Sequence, residues 1–90
     1  MIELILVGLL SFPSHYCPEP TFLNRPFNRA ANVRDQAVLD MYNKCIKGYM
    51  KQAEEAAYDK EHYNSKQVLR KMRQAVNDAE RIRREYDRGL

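Results

Sequence analysis

Between Lys51 and Arg88 the chain holds neither glycine nor proline, so nothing along that stretch compels a helix to stop. Tryptophan is absent and only three glycines occur, while Ala, Lys, Arg, Glu and Gln abound after residue 33. That composition favours helix over sheet. No lysine or arginine precedes Arg25, and so the apolar N-terminal segment lacks the positive flank of an ordinary export signal. Its apolar run, residues 2–12, stops at Pro13, well short of the roughly 20 residues that cross a bilayer. Ninety residues allow one small domain at most, and a chain of this length buries a modest share of its surface.

What is present is helical periodicity. Val68, Met72, Ala75, Ala79, Ile82 and Tyr86 recur at spacings of four and three and form one apolar stripe. The opposite side of that helix collects Lys66, Arg70, Arg73, Arg81, Arg84 and Arg88. Upstream, Leu39, Tyr42, Ile46, Tyr49, Ala53 and Ala56 form a second stripe, interrupted by Gly48 at a cost of about 1 kcal/mol. Asn32 with Asp35 three residues on reads as the N-cap that opens the helical region.

The two stripes differ in phase. Carrying the first forward by sevens lands on Lys60, Tyr63, Gln67, Arg70 and Gln74, of which only Tyr63 is apolar. Two architectures follow. One is a single helix over residues 33–88, about 84 Å long, whose sticky face rotates near residue 60. The other is a two-helix hairpin broken near residues 58–66, with Asn64 capping the second helix and Gln67 three residues later. The lack of Gly or Pro in the break favours the long helix. Either way the fold class is all-α.

The chain divides into an apolar leader over residues 1–14, a Pro-rich extended arm over 15–31 and a helical region over 32–88. The leader reads as an export signal with cleavage near Ser11 or Ser14, as a short membrane or assembly anchor, or as a buried element. Those readings place the protein outside the cytoplasm or at a membrane sooner than in the cytoplasm. All four prolines, at 13, 18, 20 and 26, precede the helical region and hold the arm extended. Phe22, Leu23 and Phe27 are expected to lie along the following helix.

Candidate chemistry is sparse. Cys17 and Cys45 are the only cysteines; a bond between them would pin the arm to the helix, and the alternative is two free thiols. His15, Cys17, Cys45 and His62 are zinc-ligand types, but only the first pair is close in sequence, unlike a structural zinc site. No nucleophile, base and orienting group come together, so no enzyme and no cofactor are expected. The net charge of +3 is confined to residues 66–90, with eight basic against four acidic groups. Arg70, Arg73, Arg81, Arg84 and Arg88 are candidate anion or nucleic-acid contacts. Yet Asp78, Glu80, Glu85 and Asp87 dilute their field, no aromatic platform is interleaved, and basic residues near a helix C-terminus also complement its dipole.

The segment Leu39-Asp40-Met41-Tyr42-Asn43-Lys44 resembles the Leu-Tyr-Arg segment of the mitochondrial LYR proteins, small helical assembly factors. The resemblance covers a few residues only. Asn43 stands where that motif has Arg and Met41 where it has Leu, so no function carries over. The expected function is that of a small structural or interaction protein, exported or a minor subunit of an assembly. The stripe from Val68 to Tyr86 would bind a protein partner or a second copy, and residues 2–12 would touch a membrane.

Overall fold

A computed structural model describes residues 10–88 of the chain, and the apolar residues 2–9 lie outside the described residues. Helix α1 spans Arg29–Tyr58 and helix α2 spans Ser65–Arg88. The two pack side by side as a hairpin, which corrects the expectation of a single long helix.

The reversal is built from side chains. Past Tyr58 the Asp59 carbonyl accepts from the amides of His62 (3.3 Å) and Tyr63 (3.0 Å), folding the chain back within four residues. The Ser65 hydroxyl donates to the Ala57 carbonyl at 2.8 Å and satisfies one of the orphan acceptors at the end of α1. Asn64 caps α2 through its Oδ1, which accepts from Lys66 and Gln67 amides at 3.0 and 3.3 Å. Polar residues at the break therefore do the work usually left to Gly and Pro.

Helix α1 opens earlier than the Asn32 signal implies. Asn28 is the cap, and its side chain accepts from the Ala31 amide at 3.0 Å. Asp35, read as the acidic partner of a capping box, is instead buried and bonded to the arm. The helix continues through Gly48 without a break.

The arm is the third layer. Phe12 packs with Ala53, Ala56 and Val68 in one cluster, while Cys17 joins Leu39, Tyr42, Ile46, Ala75 and Ile82 in another. Phe22 leans on this second cluster and meets Tyr86 edge-on, ring centroids 5.5 Å apart. The arm thus runs parallel to α2 and antiparallel to α1. An extended chain rises about 3.1 Å per residue against about 1.5 Å in a helix, so ten arm residues from Phe12 to Phe22 keep pace with eighteen of α2 from Val68 to Tyr86. Leu23 and Phe27 depart from expectation; both are exposed, Phe27 completely.

Small residues set the closeness of the helices. Ala53 and Ala75 are fully buried, and small side chains of this kind let packed helices approach closely. Both stripes read from the sequence face each other here.

Candidate functional site

Three arrangements concentrate chemistry: the contacts that fasten the arm, the apolar stripe of α2 and its basic side.

Cys17 and Cys45 are joined in the structure, with Sγ atoms 2.06 Å and Cα atoms 5.8 Å apart. Cys17 is buried and Cys45 is exposed on α1. On the hairpin-turn side of this bond, Gln67 grips Phe12 by both backbone groups: its Oε1 accepts from the Phe12 amide at 3.0 Å and its Nε2 donates to the carbonyl at 3.1 Å. The Leu10 amide donates to His62 at 2.9 Å, Lys71 donates to the Ser14 hydroxyl at 2.8 Å, and the Tyr49 hydroxyl donates to Pro13 at 2.6 Å. Residues 10–14 therefore belong to the fold. Cleavage after Ser14 would remove Phe12 from its cluster, and cleavage after Ser11 would remove the Leu10 contact with His62.

His15 connects the layers. Its Nε2 lies 2.7 Å from Asp78 Oδ2 on α2, its Nδ1 receives the Cys17 amide at 3.4 Å, and its ring stands edge-on to Tyr42 and Tyr49. A neutral ring with its proton on Nε2 satisfies both partners. His15 is thus a strut, and its two nitrogens are already occupied.

Farther along, Asp35 closes the turn that sends the arm into α1. Its carboxylate accepts from the Leu23 amide at 2.9 Å and the Asn24 amide at 3.0 Å, with Arg34 at 3.2 Å. Asn24 takes a left-handed conformation there, φ 52°, which Asn tolerates better than most residues. The Leu23 amide above all, then the Asn24 amide and the Arg34 guanidinium, hold the Asp35 carboxyl below its ordinary 3.8, against the opposing effect of burial. A carboxyl depressed in the folded state adds stability above its unfolded pKa and loses it as pH falls through the folded one. Stability of the wild type is therefore expected to decline below about pH 4 more steeply than that of Asp35→Asn, as followed by denaturant midpoints across pH 2–7.

Tyr42 carries the one buried side-chain polar atom without a hydrogen-bond partner among the described residues, its hydroxyl oxygen. Burial first, then the nearby Asp78 and Glu19 carboxylates, push that hydroxyl above its ordinary pKa of 10.0. A buried hydroxyl lacking a partner costs about 1–3 kcal/mol. Tyr42→Phe is accordingly expected to be neutral or stabilising, up to about 1 kcal/mol, in equilibrium denaturation; a loss above that would reveal a bonded hydroxyl.

The six stripe residues all lie on the inner side of α2. Val68, Ala75 and Ile82 are buried; Met72, Ala79 and Tyr86 are partly buried against the clusters. Their packing partner is α1 of the same chain, together with the arm.

The structure divides the basic residues into two groups. In the C-terminal half Arg81 pairs with Glu19 of the arm and lies 3.8 Å from Asp78 and 3.9 Å from Glu85. Arg83 pairs with Asp87 at 3.1 Å. In the N-terminal half, residues 65–77 contain Lys66, Arg70, Lys71 and Arg73 and no acidic residue. Lys71 is turned to the arm, whereas Lys66, Arg70 and Arg73 are exposed and make no ion pair among the described residues. The first turn of α2 has no acidic side chain, and cations near a helix N-terminus oppose the macrodipole. Dipole compensation, which accounts for basic groups near the C-terminus, does not account for these.

Lys66, Arg70 and Arg73 border an open depression of about 440 Å³ with Leu69 and Asn64. A second groove, about 330 Å³, runs between arm and α1, lined by Pro18, Pro20, Val38, Met41, Tyr42 and Cys45. No group of three or more His, Cys, Asp or Glu side chains suited to a metal ion occurs among the described residues. The four zinc-ligand types are dispersed: His15 contacts Asp78, the cysteines are bonded together, and His62 pairs with Asp59 at the hairpin turn.

The Cys17 and Cys45 pairing was legible in the sequence as one of two possibilities. The roles of Gln67, His15 and Asp35 were not, because each depends on which helix face the arm follows. No protein-family model matches the chain, and no curated protein or solved structure matches it either.

Proposed function

We propose that this chain is a non-enzymatic helical interaction protein, exported or held as a minor subunit of a larger assembly. The hairpin and its clipped arm act as a rigid scaffold, and contact with partners is made by the outer surface. The observation that carries this reading is the exposure of large apolar side chains on α1, where Met41 is 71% and Tyr58 81% accessible. Single exposed apolar groups are ordinary on a monomer, so the reading needs a direct test. A photo-crosslinking side chain placed at Met41 or Tyr58 in the native source is expected to yield a discrete protein adduct. Absence of any adduct at both positions would contradict it.

Anion or nucleic-acid binding is the second reading, favoured by the exposed cations of α2 that make no ion pair among the described residues. It involves Arg70 and Arg73 sooner than Arg81, whose guanidinium is engaged by three carboxylates. Arg84 and Arg88 are exposed near the end of α2 and likewise make no ion pair among the described residues.

A further inference from the structure

We infer that the first three turns of α2 form a docking face for an anionic lipid surface, with Lys66, Arg70 and Arg73 meeting headgroups and Leu69 and Val76 entering the interface.

Charge is the first argument. Residues 65–77 carry four cations and no acid, and the three that face outward have no carboxylate partner among the described residues. Lys66 also sits in the first turn of α2, where the dipole already contributes positive potential. The resulting field attracts anions and meets no carboxylate partner among the described residues.

Apolar exposure selects among anions. Leu69 is 54% and Val76 40% accessible, and at about 100° per residue both fall beside the cations on the side of α2 away from the arm. A basic helix with apolar groups along its margin lies in the plane of a bilayer interface, cations at the phosphates and apolar groups below them. A duplex would engage the cations through its phosphates and leave Leu69 and Val76 in water.

Chain position supplies the third argument. Leu10 is fastened to the hairpin turn, its amide on His62 and its backbone bridged to Tyr63, just ahead of Lys66. In the sequence, the apolar residues Ile2 to Leu9, with Glu3 as their one charge, immediately precede Leu10. A single apolar anchor binds a bilayer marginally, and a second, basic signal makes attachment stable. The sequence carries both kinds of signal, an apolar run directly before Leu10 and the basic residues Lys66, Arg70 and Arg73.

The inference rests on the reading of the chain as a surface-contact protein, and the two can fail separately: a protein adduct at Met41 with no lipid binding would leave the scaffold reading standing alone. The experiment is co-sedimentation of the full oxidised chain with vesicles of phosphatidylcholine alone or with 30% phosphatidylglycerol. Binding is expected only to the anionic vesicles and is expected to fall steeply with added salt. Lys66→Glu, Arg70→Glu, Arg73→Glu together should weaken it by at least about 100-fold, since each basic residue near such a surface contributes about fivefold. Should that triple variant lose helicity, Lys66→Gln, Arg70→Gln, Arg73→Gln serves in its place and is expected to weaken binding by about 100-fold. Equal binding to neutral vesicles, wild-type affinity in a folded triple variant, or displacement from the vesicles by an equal charge of duplex DNA would overturn the inference.

Discussion

The double substitution Cys17→Ser, Cys45→Ser is expected to lower stability by about 3.5 kcal/mol, the chain-entropy value for a closed loop of this size. The bond spans 28 residues of sequence and encloses the turn at Asn24 and the first half of α1. Without it the arm is tied down by polar contacts and by Phe12 and Phe22, each set opposed by the entropy of ordering an extended, Pro-rich segment. For a domain of this size the loss corresponds to roughly 15–25 °C in Tm. Thermal melts of the wild type with and without reductant, beside the double variant, measure it. A difference below about 1 kcal/mol would mean that the arm's place on the hairpin does not depend on the bond.

The second large effect is expected at Ile82. Its side chain is 1% exposed and joins Leu39, Tyr42 and Ile46 of α1 with Cys17 of the arm, so one residue contributes to all three layers. Ile82→Ala should cost about 3–5 kcal/mol, combining lost transfer energy with a cavity the rigid surroundings cannot fill. Leu69→Ala, on the same helix but 54% exposed, should cost less than about 1 kcal/mol. Similar losses at both positions in urea denaturation would mean that the face assigned to the interior is wrong.

Much of the architecture is legible from residue spacing. Both apolar stripes, their phase mismatch near residue 60, the Asn64 cap and the break at 58–66 are sequence features, because helical periodicity and capping are local. The choice between hairpin and long helix is not local. It was biased by the missing Gly and Pro, yet Ser65, Asn64 and the Asp59 carbonyl supply the same hydrogen bonds through side chains and an irregular backbone. The start of α1 slipped from Asn32 to Asn28 for a related reason. Two Asn residues four positions apart, Asn28 and Asn32, both suit a cap, and Asp35, the apparent partner of Asn32, is recruited by the Leu23 and Asn24 amides.

The arm was least legible. Extended segments carry no periodicity of their own, so burial of Phe12 and exposure of Phe27 follow only from the path between the helices. The basic side shows the same division. A wheel places Arg70, Arg73, Arg81, Arg84 and Arg88 together, but Glu19 comes from the arm to neutralise Arg81. That contact sets Arg81 apart from Arg70 and Arg73, which make no ion pair among the described residues.

The central claim is that the stripe of α2 is satisfied within a single chain, leaving the exterior for partners. Amide hydrogen exchange across Val68–Ile82, recorded on the oxidised protein over a 100-fold range of concentration, tests it most directly. The account predicts strong protection that is the same at every concentration. Protection that fades on dilution would contradict it and would mean that these residues are buried by another molecule.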